Sequence, residues 1–325
     1  MTGLAGLANA LRAGGHVVTD GAPFGALTTY GTGGPAAAMV EVTDATSLES
    51  VAAVIAANRG VDVFVLGNGS NTLVADPGFD GLVVRLRPPA DPDAARVEVT
   101  DGTVEVPAWM PLPVLARRSV AAGACGLEWA VGVPGTIGGA VRMNAGGHGS
   151  DMAASISGAT ILTLGGSPRR VGVDGLGFGF RSSGIAADDV VLDATLALRP
   201  REVERSEAEI DEIVRWRREH QPGGQNCGSV FVNPVPGEIS AGALIDALGL
   251  RGCRDGTASV SDKHANFILS EPGGAASDVV RLMARVREEV LGSTGHDLRS
   301  EVRLLGFDDE VAEAAGARPA TSAGH

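Results

Sequence analysis

Two runs of small residues carry most of the chemistry this chain could do. Residues 65–84 read VLGNGSNTLVADPGFDGLVV, an apolar stretch that stops at a bend of Gly67, Asn68, Gly69, Ser70 and Asn71 before Thr72. Residues 132–149 read GVPGTIGGAVRMNAGGHG, with Gly132, Pro134, Gly135, Thr136, Gly138, Gly139 and Asn144 in a segment of little charge. Glycine is entropically costly to order, so such runs need a reason. Successive small residues let backbone N–H groups converge into a nest that holds phosphate oxygens without a cationic side chain. For the first run the plainer alternative is a hairpin turn, since Asn-Gly is a strong hairpin signal. The second lacks the lysine of a P-loop and does not follow GxGxxG. Its Val133, Ile137, Val141 and Met143 require burial, which a flexible linker would not supply. Two such bends in one acidic chain suit a dinucleotide whose pyrophosphate is gripped by amides.

Three further segments hold reactive side chains. FGFRSSG (178–184) sets Arg181 between aromatic and small residues, where a solvated surface arginine is the ordinary reading. NCGSVFVNP (226–234) places Ser229 after a glycine and before a Val-Phe run. No histidine is near it in sequence and GxSxG is absent, so a nucleophilic role is disfavoured. As a proton donor to a strong carbon base, Ser229 would need no activation. SDKHANFIL contains the single lysine, Lys263, beside His264, read as a turn or as a phosphate contact.

The bulk composition narrows the partners. The chain has 325 residues and a formal net charge of −13, which argues against general binding to nucleic acid or anionic membranes. Its three cysteines, Cys125, Cys227 and Cys253, form no CxxC pair, so no metal site is expected and a reducing cytoplasm is the natural setting. No signal peptide or membrane-length apolar window is recognisable.

These groups must be positioned by regular elements. AAAMVEV (36–42), DVFVLG and GLVVRL (81–86) read as strands, and the segment from Thr46 to Gly60 as a helix with Leu48, Val51, Ala52 and Ile55 on one face. A Thr46/Glu49 capping box is expected to open it. Strands follow at VEVT, TVEVPA, GATILTL and VVLDATLAL, with a helix over 113–123. The charged stretch after Arg199 marks a boundary, and 206–220 reads as an amphipathic helix opened by a Ser206/Glu209 capping box. Beyond it come the helix GALIDALG, the strand ANFIL (265–269), and a helix striped by Val279, Leu282, Met283, Val286 and Val290. In LRSEVRLLGF, alternation puts Leu298, Ser300, Val302 and Leu304 on one face, and Arg299, Glu301 and Arg303 on the other. The expected division is 1–86, 87–200 and 201–307, with a frayed tail over 308–325.

In order along the chain, LGNGSNTLV, GVPGTIGGAVRMNAGG, FGFRSSG, NCGSVFVNP, AGALIDALGLRG, VSDKHANFILS and SEVRLLG resemble the motifs of the UDP-N-acetylenolpyruvoylglucosamine reductase family, from about Thr28 to Gly306. The resemblance implies an α+β chain with an FAD-binding fold of the PCMH, or vanillyl-alcohol-oxidase, type. Two subdomains would hold FAD non-covalently, and an α+β domain would bind substrate. It implies reduction of the enolpyruvyl ether of UDP-N-acetylglucosamine to UDP-N-acetylmuramate for the cell wall, with NADPH as hydride donor. It gives Gly67–Thr72, the 132–139 glycine segment and Asn144 to FAD. Arg181 and a protonated Glu301 would stabilise enolate-like charge, and Ser229 would protonate the carbon. Neither nucleic acid, nor membrane insertion, nor an obligate protein partner is implied. Phe180 stands where the family has tyrosine and Val232 where it has lysine, and a long loop insertion of one subgroup is missing, as in the shorter subtype. The rivals are an oxidase of the same fold with flavin tethered through His148, and a nucleotide-binding module without catalysis.

Overall fold

The computed structural model describes residues 3–199 and 201–317. The chain forms two compact units, each assembled from segments distant in sequence: Met1–Asp20, Ala38–Asn68 and Gly81–Arg217 in one, Gly21–Ala37, Gly69–Asp80 and Arg218–His325 in the other.

Most of a four-stranded sheet lies in the first unit, with spatial order Val18–Ala22, Ala36–Val42, Phe79–Leu86, Val63–Leu66. Val63–Leu66 runs parallel to Phe79–Leu86, whose central Leu82, Val83 and Val84 are buried, as in strands covered by other elements. The Ala45–Ala57 helix buries the predicted face of Leu48, Val51, Ala52 and Ile55 against Val40, Val42, Leu82 and Val84. Its cap differs from expectation. Asp44, not Thr46, closes the N-terminus, its carboxylate accepting from the Ser47 N–H at 2.8 Å and the Ser47 hydroxyl at 2.8 Å. A carboxylate is the better acceptor at the positive end of a helix, and those two hydrogen bonds hold its pKa below the ordinary value.

The same unit holds a five-stranded antiparallel sheet ordered Pro168–Gly172, Ile156–Thr163, Asp189–Ala197, Thr103–Pro107, Val99–Thr100. Its apolar face packs on helices Leu112–Ala121 and Ile137–Met143, with Leu115, Ile137, Val141, Ala159 and Ala194 all fully buried. The charged helix spans Val203–His220, so Ser206 lies within it and caps nothing. Its hydroxyl donates instead to buried Glu128 at 2.6 Å, and Glu209 pairs with Arg201 at 2.6 Å.

In the second unit, the Ala276–Thr294 helix buries the predicted stripe of Val279, Leu282, Met283, Val286 and Val290. The stripe packs with Leu73, Phe231, Ile245, Val260 and Leu298. Asp76 caps this helix from far away in sequence, accepting from the N–H groups of Ala276 at 2.7 Å and Ser277 at 3.0 Å. Strand Thr72–Val74 pairs in parallel with Arg303–Leu305. The Asn-Gly bend is therefore no hairpin: the strands before and after it belong to different sheets. Two expected strands are shorter in the structure, ANFIL contributing only to Ile268–Ser270 and LRSEVRLLGF only Arg303–Leu305. Residues Asp309–Ala314, expected to fray, form a helix followed by fully buried Ala315, and the rest of the expected tail, 318–325, lies outside the described residues.

Candidate active site

The two glycine runs meet inside the first unit. A Cβ on Gly67 would lie 2.4 Å from the Thr136 hydroxyl oxygen, so only glycine lets these segments come together. A Cβ on Gly139 would meet only that same oxygen, at 3.8 Å, and otherwise project into open space. Gly67 and Gly139 thus both face the Thr136 hydroxyl, Gly67 in close contact and exposed Gly139 with open space beside it. The second run is more ordered than a bend. Leu112 N–H donates to the Gly135 carbonyl at 3.1 Å, and Ile137 and Gly138 N–H donate to the carbonyls of Met110 and Ala108, each at 2.9 Å. A helix then runs Ile137–Met143. Gly138 serves close packing on Ala108, its own amide being taken.

Gly69, in the second unit, has φ +61°, and a Cβ there would lie 2.8 Å from the Leu27 carbonyl oxygen. Its carbonyl accepts from Thr29 N–H at 3.1 Å. Asn71 reaches the catalytic candidates: its Nδ2 donates to the Glu301 carbonyl at 2.9 Å and its own carbonyl accepts from Arg303 N–H at 3.0 Å. Thr72 is buried, its carbonyl accepting from the Cys227 thiol at 3.3 Å. Burial pushes that thiol up to about 12, so Cys227 carries no thiolate chemistry at neutral pH.

Arg181 sits at the tip of a tight turn in the first unit. Gly179 and Ser182 exchange backbone hydrogen bonds of 2.9 and 3.2 Å, with Phe180 and Arg181 between them. Arg181 has φ +54°, a conformation side chains rarely adopt, and its guanidinium carbon lies 5.5 Å from the Phe180 ring centroid. Such strain persists only where surroundings enforce it. Asn144 does so: left-handed at φ 43°, it donates through Nδ2 to the Gly179 carbonyl at 2.9 Å and accepts from Ala153 N–H at 2.9 Å. Ser183 adds a 2.6 Å bond to the Arg142 carbonyl.

Ser229 and Glu301 come together in the second unit. Phe231 and Ser300 form an antiparallel bridge, Glu301 N–H donates to the Val230 carbonyl at 2.8 Å, and Val232 N–H donates to the Arg299 carbonyl at 2.9 Å. Both Ser229 and Glu301 are half-buried. Val232 is buried in the apolar interior, so the missing lysine is replaced by packing. Lys263 donates to the Arg218 carbonyl at 2.5 Å. Sequence reasoning missed Asn266, whose side chain is bonded to Phe231 and whose only signal was one polar residue inside ANFIL.

Among the described residues, the first unit contains at least two cavities. The larger, about 550 Å³, is lined by Arg201, Arg205, Glu209, Trp216 and His148 and includes none of the predicted site residues. There the His148 ring meets Trp216 edge-on at 5.2 Å, and burial plus the Arg217 charge pushes its pKa down. The smaller, about 330 Å³, is lined by Leu48, Glu105, Ala108 and Trp109, which brings it to the carbonyl that holds Gly138. Among the described residues, no group of three His, Cys, Asp or Glu could hold a metal, and no helix is long and apolar enough to cross a membrane.

The close approach of two glycine runs, in a unit built of a parallel strand pair and an antiparallel sheet, suits a flavin-nucleotide oxidoreductase, and residues 36–172 match the FAD binding domain family. The open face at Gly139 fits a pyrophosphate that approaches main chain directly. Residues 220–305 match the C-terminal domain of UDP-N-acetylenolpyruvoylglucosamine reductase. The enzyme of that name from Gloeobacter violaceus is 42% identical over 289 residues, covering 88% of this chain and 95% of its own. The one from Rubrobacter xylanophilus is 40% identical over 287 residues, covering 87% and 94%. The crystal structure of UDP-N-acetylenolpyruvylglucosamine reductase from Thermus caldophilus superposes with a TM-score of 0.74 at 32% identity, covering 89% of this chain and 98% of that one. The chain belongs to the UDP-N-acetylenolpyruvoylglucosamine reductase family, whose members are FAD-dependent oxidoreductases.

Proposed function

We propose that this protein reduces the enolpyruvyl ether of UDP-N-acetylglucosamine to UDP-N-acetylmuramate, a peptidoglycan precursor, with NADPH as reductant. The observation that carries the reading is the close approach of Gly67 to Thr136 beside exposed Gly139, which leaves main chain open to the diphosphate of FAD bound without a covalent tether. Residues 1–86 and 87–200 would hold that cofactor and 201–307 the sugar nucleotide, in a cytoplasmic enzyme that needs no obligate protein partner. Bound FAD supplies two-electron transfer from NADPH to the enolpyruvyl group.

The side chains have separate tasks. An electron pair delivered with hydrogen to the terminal methylene leaves negative charge on the neighbouring carbon and its carboxylate. Arg181 and a protonated Glu301 donate hydrogen bonds to that developing charge. The Ser229 hydroxyl gives its proton to the carbon, and the carbanion is basic enough to take it from an unactivated serine. Gly67, Asn68, Gly69 and Ser70 hold the cofactor by main-chain contact, as do Gly132, Pro134, Gly135, Thr136 and Gly139. Gly138 supports them by packing, and Asn71, Thr72 and Asn144 act by fixing the segments around the reacting groups. An anaerobic stopped-flow record tests this: NADPH bleaches the flavin absorbance and the enolpyruvyl sugar nucleotide restores it. A colourless protein that refuses FAD on reconstitution would overturn the reading.

A further inference from the structure

The segment that carries Ser229 is flanked on one edge by an ordinary antiparallel neighbour, residues 299–301. Among the described residues, no strand pairs with its other edge. One side chain stands in for it. The Asn266 Oδ1 accepts from Phe231 N–H at 3.0 Å, and its Nδ2 donates to the Phe231 carbonyl at 2.8 Å. The Asn266 carbonyl accepts from Val230 N–H at 2.9 Å, and its N–H donates to Nδ1 of His264 at 3.2 Å. Asn266 is 4% exposed and sits inside a tight turn, Phe267 N–H to His264 carbonyl at 3.0 Å, which breaks the strand expected over ANFIL.

A primary amide has both a donor and an acceptor in one plane, so it can satisfy a whole peptide unit as a neighbouring strand would. The residue thereby fixes both polar groups of Phe231 and one of Val230. Before Ser229, Gly228 N–H donates to Asn226 Oδ1 at 2.9 Å with Gly228 at φ +80°. The peptide after Ser229 is held through Val230 N–H and the peptide before Gly228 through Gly228 N–H, which limits how far the Ser229 hydroxyl can move. Proton transfer to carbon is steeply dependent on donor placement, and errors of about 1 Å cost large factors in rate. An apolar residue at 266 would leave Phe231 with buried, unpaired backbone groups.

We propose that Asn266 is the positioning residue for Ser229, standing in for a missing strand so that the proton donor is aimed at the substrate carbon. The inference rests on the reading of Ser229 as that donor. It predicts a specific signature in Asn266→Asp, which keeps the acceptor for Phe231 N–H but turns an oxygen toward the Phe231 carbonyl, and in Asn266→Ser, which leaves room for water. Both variants are expected to keep flavin content, reduction by NADPH and KM for the sugar nucleotide within about twofold of wild type. The half-reaction with the enolpyruvyl substrate slows roughly tenfold to a hundredfold, and its solvent deuterium isotope effect rises. The Asp variant alone recovers as pH falls, since a protonated carboxyl again donates to Phe231. Added to Ser229→Ala, neither change costs more, because the group it aims is gone.

The two readings fail differently. If Ser229→Ala slows the substrate half-reaction while the Asn266 variants leave it and the isotope effect unchanged, the positioning role is wrong and the serine stands. If Ser229→Ala is harmless, the proton-donor reading falls and this one with it. Variants that lose flavin and thermal stability in parallel with activity would mark Asn266 as a folding residue and overturn the proposal.

Discussion

The chain places the two side chains proposed to react, Arg181 and Ser229, by two different devices. In the first unit, Arg181 stands on a tight turn with a left-handed backbone, held from beneath by one asparagine. In the second, Ser229 leads into a segment bonded along both edges, by Asn266 and by residues 299–301. A charged group that stabilises diffuse negative charge tolerates variation in angle, because Coulomb attraction is weakly directional. A hydroxyl that must hand a proton to one carbon does not. The contrast suggests that strain is tolerable where the task is electrostatic and rigidity is required where a proton moves.

Ser229→Ala should produce the largest effect. The substrate half-reaction is expected to slow by about 10³-fold, near the upper part of the usual general-acid range, with reduction by NADPH intact in the same stopped-flow experiment. Equal loss in both half-reactions would reduce the serine to a structural residue and erase the contrast. Next comes Gly67→Ala, which presses a methyl against the Thr136 hydroxyl at 2.4 Å. A loss of about 1–3 kcal/mol in folding stability and most of the bound flavin is expected. The pair Gly67→Ala with Thr136→Ala should regain the stability, as read by thermal melting.

Arg181→Gly separates strain from function. Glycine adopts the same backbone without penalty, so stability should rise by up to about 1 kcal/mol while kcat/KM falls. A fall in melting temperature would show that the turn is unstrained. The smallest effect concerns His264, whose pKa is pushed down by burial and then by the Arg251 charge while its Nδ1 accepts from Asn266. The folded state resists its protonation more than the unfolded state does. Its contribution is therefore complete above the ordinary histidine value of about 6.5 and is lost as pH falls through the window beneath it. Replacing it by glutamine should flatten the acid side of the stability profile. An unchanged profile in melts from pH 7 to 5 would remove His264 from the support of the rigid strand.

Much of this was legible in the residues. The face of Leu48, Val51, Ala52 and Ile55 and the stripe from Val279 to Val290 are buried as their spacing requires, because helical periodicity is a local property. The glycine runs announced close approach, though not that Gly67 meets Thr136, since contact between distant segments is invisible in either alone. Both expected capping boxes failed for one reason. Serine and threonine were counted by spacing, while Asp44 supplied the stronger acceptor and Ser206 found Glu128, 78 positions away. Asn266 escaped notice because a side chain that imitates a strand leaves no periodic trace. Asn144 and Asn71 were legible as site candidates, but their partners, Gly179 and Glu301, are defined only once the chain has folded.

The parallel pairing of Thr72–Val74 with Arg303–Leu305 bears on how the polypeptide can be made. The final strand emerges from the ribosome long after its mate, so the early one must wait, unpaired, through most of synthesis. A fragment covering only 220–305 would be born without Leu73, a fully buried member of its own interior. Dissecting this enzyme at its motif boundaries should yield insoluble pieces, whereas co-expressing the two halves offers each the strand it lacks.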